Sequence, residues 1–208
     1  MDELPQMEID GGEWYRSIPP PAIPMPAAHV PDLHGARAMA AAPGIGLLHD
    51  LRVLGDAHRD SEGTWANLVP ELDYWRTQIS RSTVTPRRVP IEHVYVEHRL
   101  DHMLTVGDPP VLAGDANALL RRLTPRPEQP GARTPVPART VAHLHGRRII
   151  QVTPLGFSWD LRAISEPYEN SQHDIVLNVT SAHDYYRWLI AGVKPDPVPI
   201  GLYLLWTE

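Results

Sequence analysis

The sequence predicts an α+β protein in which a proline-rich extended arm precedes a helical N-terminal half, and the C-terminal half is a sheet covered by one helix. Three observations lead to this prediction: closely spaced prolines near the N-terminus, apolar residues at helical spacing over residues 62–79, and short β-branched runs after Pro137. The predicted divisions are an arm (1–31), a mainly helical region with one strand (32–123), a proline-rich linker or loop (124–137) and a sheet region (138–208).

The arm is acidic up to Glu13 and rich in proline after it. Closely spaced prolines fix φ and favour polyproline II, which has no internal hydrogen bonds. A simple tether is one interpretation. Apolar side chains on a stiff rod are costly to leave in water, however, and they suit a groove on a partner. The residues expected to dock are Trp14, Tyr15, Ile18, Ile23 and Met25.

Residues 32–123 show mainly helical patterns. Residues 36–42 and 45–58 are expected to form short helices on either side of Pro43-Gly44, a strong local break. Residues 62–79 are expected to form the longest helix, with a kink or a junction at Pro70. The remaining predicted elements are a strand over 89–96 and a short helix over 115–123.

The C-terminal region alternates like a sheet. Strands are expected over 140–144 and 147–153, around a turn at His145-Gly146. Ser181, with Asp184 three residues later and Gly192 as a stop, predicts the covering helix. Further strands are expected over 157–164, 174–180 and 200–206.

Composition excludes several functional classes. The 208-residue chain has no cysteine, which rules out disulfides, thiolate chemistry and zinc sites with sulfur ligands. The first residues are acidic and lack the apolar region of a signal peptide, and no run approaches the ~20 apolar residues of a membrane helix. We therefore expect a cytoplasmic protein or a component of a virus-like particle, without a membrane partner.

The charges are segregated along the chain. Residues 1–75 carry a net charge of −8, residues 76–148 carry +6 and residues 149–208 carry −4. All basic residues except Lys194 are arginine, whose planar guanidinium group suits carboxylates and phosphates. The exposed arginines expected to meet a partner are Arg81, Arg87, Arg88, Arg121, Arg122 and Arg126.

The sequence has no recognisable catalytic signature. It has neither the G-x-S-x-G motif of many hydrolases nor a phosphate-binding loop. We therefore predict a protein that is not an enzyme, with no catalytic residues and no cofactor.

His143-Leu-His145 is the candidate metal site, because alternation along a strand would direct both imidazoles to one face. With His173 downstream, the pair resembles the metal site of cupins, which combine H-x-H with an acid and a third histidine. The acid of that motif is replaced here by Arg147-Arg148. The resemblance implies an alternative function as a cupin-like, metal-dependent enzyme.

The sequence as a whole favours a non-enzymatic structural or interaction subunit of a larger assembly, with a viral or phage particle as one setting. Its expected partners are other protein subunits, including copies of itself, which would be bound through the arm and the arginine-rich middle. A second alternative is a nucleic-acid-associated protein that neutralises phosphates with these arginines. The overall acidity of the chain argues against this alternative.

Overall fold

The computed structural model describes residues 13–42, 46–99 and 130–208. They form two antiparallel seven-stranded sheets, and each sheet is accompanied by one α-helix. The first half contains β1 (Ile23–Pro26), β2 (Arg37–Ala42), β3 (Gly46–Val53), β4 (His58–Asp60), β5 (Gly63–Pro70), α1 (Glu71–Ser80), β6 (Arg87–Pro90) and β7 (Val94–His98). The second half contains β8 (Val136–Pro137), β9 (Arg148–Thr153), β10 (Gly156–Ala163), β11 (Tyr168–Glu169), β12 (Ile175–Ser181), α2 (Ala182–Ala191), β13 (Val198–Gly201) and β14 (Leu205–Thr207).

The two sheets have the same topology. The first has the strand order β1-β7-β2-β3-β5-β4, with β6 also paired to β5. The second has the order β8-β14-β9-β10-β12-β11, with β13 also paired to β12. The described residues therefore form two copies of one unit. Equivalent residues lie 110 or 111 positions apart, as Arg52 and Arg162 or Gly35 and Gly146 do.

An approximate twofold axis, which we call the dyad, relates the halves. Ala22 and Arg133 occupy equivalent positions, and each backbone N–H donates to the other's carbonyl at 2.9 Å. Trp75 of α1 stacks on its equivalent, Tyr186 of α2, with ring centroids 5.6 Å apart. Such contacts between equivalent residues are what a twofold axis produces. Beyond the dyad, the 3-10 turn Trp14–Arg16 lies against the second half, on β9.

The prediction of a helical N-terminal half is wrong, because this half is mainly a β-sheet. Residues 37–42 of the first predicted helix form β2, and residues 46–53 of the second form β3. β2 pairs with β7 on one side and β3 on the other, and its Ala38, Met39 and Ala40 are buried. Pairing and burial on both sides outweigh the intrinsic helix preference of alanine.

Residues 62–79 are not one helix either. The segment runs as β5 up to Pro70 and then as α1. The prediction that Pro70 kinks this helix or joins two shorter helices is wrong, because Pro70 joins a strand to a helix. Proline suits this point because it has no N–H to donate and its φ is fixed. The apolar spacing across Pro70 therefore combines residues of two elements.

Three predicted strands are also corrected. Residues 140–144 are not a strand, since the 3-10 turn Ala138–Thr140 leads into a loop in which Leu144 is buried. Residues 200–206 are split by a second 3-10 turn, Leu202–Leu204, and residues 89–96 are split in the same way by Ile91–His93. The helix expected over 115–123 lies outside the described residues.

The covering helix is confirmed with its caps. The Asp184 N–H donates to Ser181 Oγ at 3.0 Å, and Gly192 ends α2 with a φ of +70°. The strands expected over 147–153, 157–164 and 174–180 are present as β9, β10 and β12. Neither α1 nor α2 is long and apolar enough to cross a lipid bilayer.

Each half has its own apolar core. The first contains Val53, Leu68 and Val94, and the second contains Leu144, Leu177 and Leu205, all nearly inaccessible to solvent. α1 and α2 contact each other beside the dyad, between the two sheets. The polar residues that join the halves are concentrated in this region.

We expect Gly35→Ala to lower the free energy of unfolding by about 2 kcal/mol. Gly35 has a φ of +72°, and an added Cβ would lie 2.6 Å from the Tyr74 hydroxyl. Gly55 is the matched control because its φ is +78° and no atom would lie within 4 Å of its Cβ. Gly55→Ala should lower the free energy of unfolding by only about 1 kcal/mol, the cost of placing a residue with a Cβ in the left-handed conformation. Urea denaturation measures both, and equal losses would contradict the role of Tyr74.

Candidate interaction site

Four guanidinium groups, two from each half, surround the buried carboxylate of Glu71 in the first turn of α1. Arg52 Nη2 lies 2.7 Å from Oε1, and Arg162 Nη2 lies 2.5 Å from Oε2. Their neighbours Arg37 and Arg148 approach the carboxylate to 3.7 and 3.4 Å. The position equivalent to Glu71 is occupied by Ala182. A single carboxylate near the dyad therefore serves the arginines of both halves.

Two aspartates extend this cluster across the dyad. Asp50 and Asp160 lie at equivalent irregularities in β3 and β10, with φ values of +56° and +49°. Aspartate tolerates this left-handed conformation better than most residues. Asp50 reaches Arg148 at 2.9 Å, and Asp160 reaches Arg37 at 2.5 Å. Each aspartate therefore pairs with the other half of the molecule.

A second pair of equivalent acids closes the cluster. Both carboxylate oxygens of Glu97 accept from Arg148 Nη1 at 3.2 Å, and Glu208 pairs with Arg99. Both glutamate side chains are almost entirely buried. We call the whole set the ionic cluster, and it consists of Asp50, Glu71, Glu97, Asp160 and Glu208 with Arg37, Arg52, Arg99, Arg133, Arg148 and Arg162.

Three groups in or beside the ionic cluster have pKa values shifted from the ordinary ones. Burial disfavours ionised Glu71, but the surrounding arginines, Arg148 foremost, outweigh it and lower its pKa to about 2. Burial and the charge of Arg148 lower the pKa of Arg37 to about 10, and burial raises the pKa of Tyr186 to about 12. These three groups hold fixed protonation states near pH 7, so they are poorly suited to acid–base catalysis. Their contacts instead join the two halves.

A groove of about 440 Å³ separates the arm from the second sheet. We call it the arm groove. Most of its walls are apolar or aromatic, and two exposed arginines contribute positive charge. The lining residues are Tyr15, Arg16, Ile18, Pro137, Arg139, Leu202, Tyr203, Leu205 and Trp206.

Tyr203 is the most prominent side chain of the arm groove. It is 64% exposed, and its ring packs over Gly201, where a Cβ would lie only 2.6 Å from it. In the first half the equivalent position is Glu92, and the position of Arg139 is Ala28. The second half therefore carries an aromatic ring and a cation that its structural twin does not need. Exposed aromatics beside an apolar surface are characteristic of interfaces.

The predicted arm residues are divided between the groove and the core. Tyr15 and Ile18 line the arm groove, beside Trp14, whose ring meets Tyr15 edge-on at 6.2 Å. Ile23 is buried in β1, and Met25 packs against the first core. Residues 14–26 therefore contact other parts of their own chain. The role of Tyr15 and Ile18 in partner binding stays a prediction.

Three of the six arginines predicted to contact a partner lie among the described residues, and all three are exposed. Arg81, Arg87 and Arg88 are exposed near the end of α1 and on β6, where Arg88 stacks on the Trp65 ring at 4.1 Å. Arg148 is buried in the ionic cluster. The predicted contacts Arg121, Arg122 and Arg126 lie outside the described residues.

The three histidines of the cupin-like pattern are exposed, and no hydrogen bond joins one of them to another. His143 and His145 lie in the loop before β9, so the strand alternation expected for them is absent. The Leu144 N–H donates to the Glu166 carboxylate at 3.0 Å, and His173 pairs with Glu169 at 2.5 Å. Within residues 13–42, 46–99 and 130–208, no three histidine or acidic side chains are grouped as metal ligands.

Sequence reasoning missed the ionic cluster, although a signal for it was present. The pattern L-H-G-x-R occurs at residues 33–37 and 144–148, and D-L-R occurs at 50–52 and 160–162. These two repeats contain both cross-dyad aspartates and all four arginines around Glu71. Comparing the chain with itself would have revealed them.

Comparisons of the chain with protein-family models, with curated proteins and with solved structures found no match. The internal twin of each half is therefore the comparison that informs on function.

Proposed function

We propose that the protein is a non-enzymatic interaction subunit that assembles with copies of itself. In this proposal, the acidic N-terminal segment of one copy occupies the arm groove of the next. The observation that carries it is the exposed Tyr203, which stands in an apolar groove where the other half has Glu92.

The chemistry of the N-terminal segment complements the groove. Residues 1–10 contain the apolar residues Leu4, Met7 and Ile9 among four acids. The groove offers apolar and aromatic walls together with two arginines, Arg16 and Arg139. Apolar contact would supply affinity, while the arginines would select an acidic partner and orient it.

Pairing at sheet edges is a less suitable route to assembly. The edge strands β1 and β8 contain proline, and β4 and β11 are only three and two residues long. Short edges and prolines both oppose strand addition. Side-chain docking in the arm groove is therefore the mode of association that the fold favours.

Light scattering of the full chain over a range of concentrations tests this function. We expect the mass of the wild type to increase with concentration. Tyr203→Glu should raise the Kd of self-association by about tenfold or more, since a buried aromatic anchor contributes about 2 kcal/mol. Glutamate at position 203 reproduces the residue found at the equivalent position 92, so folding should be preserved.

Leu155→Glu is the matched control because Leu155 is fully exposed at the β9–β10 turn, away from the groove. It should assemble like the wild type. A labelled peptide of residues 1–13 should bind a chain that lacks residues 1–12, and Tyr203→Glu should reduce that binding. A wild-type protein that is monomeric at every concentration would overturn the proposal, whether or not the peptide binds.

A further inference from the structure

Two equivalent clefts flank the ionic cluster. The wide cleft, of about 660 Å³, is lined by Asp50, Arg148 and Arg162 among others. The narrow cleft, of about 290 Å³, is lined by the equivalent residues Asp160, Arg37 and Arg52. The aspartate and the two arginines that both clefts share belong to the ionic cluster, which joins the two halves. A residue present in one cleft alone is therefore a better indication of ligand binding.

Three differences distinguish the wide cleft from the narrow one, and two of them add a guanidinium group to the wide cleft. Arg147 stands where the narrow cleft has Ala36, and His49 stands where it has Trp159. Arg133 also lines the wide cleft, whereas its equivalent is the buried Ala22. The narrow cleft has Arg99 and His98, which have no equivalents in the wide cleft, but the fold does not require Arg147 or Arg133, since alanine occupies the positions equivalent to them.

Arg147 and Arg133 keep binding capacity that Arg148 and Arg162 do not. Arg147 is exposed, and its Nε donates to the His143 carbonyl at 2.7 Å, which fixes the side chain, while its two terminal nitrogens have no hydrogen-bond partner among the described residues. Among the described residues, Arg133 forms ion pairs through Nη1, with Asp50 at 3.3 Å and Glu97 at 3.5 Å. A guanidinium anchored at one nitrogen is well prepared to bind an oxyanion through the others.

We propose that the wide cleft binds a small multivalent oxyanion, held by Arg147 and Arg133 with His49 as a further donor. The ligand class is an organic phosphate or polycarboxylate, because Leu72 and Tyr186 provide an apolar wall beside the charged one. This site is distinct from the arm groove, so it stands or falls independently of the proposed self-assembly.

Isothermal titration calorimetry of the full chain at low salt tests the site, with pyrophosphate and citrate as separate probes. We expect at least one probe to bind, and Arg147→Ala to raise its Kd about tenfold, as loss of a charged hydrogen bond does. Alanine is the residue at the equivalent position 36, so the variant should fold. Binding of pyrophosphate alone assigns a phosphate ligand, and binding of citrate assigns a polycarboxylate.

Arg139→Ala is the matched control because it removes an exposed arginine from the arm groove instead. Its Kd for the oxyanion should stay within twofold of the wild-type value. The reciprocal variant Ala36→Arg should create a second, weaker site in the narrow cleft. The proposal is overturned if neither probe binds, or if Arg139→Ala weakens binding as much as Arg147→Ala does.

Discussion

Replacing Glu71 by glutamine should lower the free energy of unfolding by about 3–5 kcal/mol, the usual cost of leaving a buried charge without its partner. The amide keeps the size of the side chain but removes the negative charge that Arg52 and Arg162 share at 2.7 and 2.5 Å. Both arginines are nearly buried, so water replaces little of the lost interaction. Urea unfolding followed by tryptophan fluorescence measures the change.

Glu62→Gln is the control for this substitution because it removes an exposed acid from the β4–β5 turn of the same half. It should change stability by less than about 0.5 kcal/mol. If Glu71→Gln were equally mild, the carboxylate would not be the link between the halves. Purified Glu71→Gln protein that is unfolded from the outset agrees with the expectation, and its unfolded fraction should fall on addition of a stabilising osmolyte.

Acidification should remove on the order of 3 kcal/mol of stability through Glu71 alone. Its pKa is about 2 in the folded protein and 4.5 for the unperturbed group. A carboxyl group with a lowered folded pKa stabilises the protein fully above its unfolded pKa, and this contribution is lost as the pH falls through the folded pKa. The loss should therefore lie between about pH 4.5 and pH 2.

The measurement is the free energy of unfolding of the wild type and Glu71→Gln as a function of pH. The difference between the two proteins should be constant above pH 4.5 and should shrink towards pH 2. Other carboxylates titrate in both proteins, so the subtraction isolates Glu71. Parallel curves throughout this range would show that Glu71 is not held ionised by the cluster.

The second half was the more predictable from sequence because its local signals agree with its tertiary structure. Ser181, Asp184 and Gly192 specify both ends of α2 through contacts within a few residues. The β-branched runs of β9 and β12 likewise match a buried strand. Local and global preferences coincide there.

The first half misled prediction because its local preferences are overruled. The alanines of β2 favour a helix in isolation, and only pairing with β3 and β7, which follow later in the chain, makes them a strand. The helical spacing of apolar residues over 62–79 likewise combined residues from the strand β5 and the helix α1. Neither fact is contained in a window of a dozen residues.

The ionic cluster could not be found from single residues. Glu71 follows a proline in the first turn of a helix, where an acid is ordinarily explained by the helix dipole. Asp50 and Asp160 lie in strands, and only the paired irregularities turn them across the dyad. The repeated motifs were visible, but what they assemble depends on how the two sheets meet.

The shared carboxylate has a consequence for synthesis on the ribosome. Two of the arginines that Glu71 requires, Arg148 and Arg162, come 77 and 91 residues later in the chain. In a nascent first half, Arg37 and Arg52 share the single carboxylate of Glu71, and Arg37 does not yet have Asp160 as its second partner. Complete neutralisation waits for the second half. We therefore expect a chain truncated between the two halves to be less stable, because Arg37 would lack the carboxylate of Asp160.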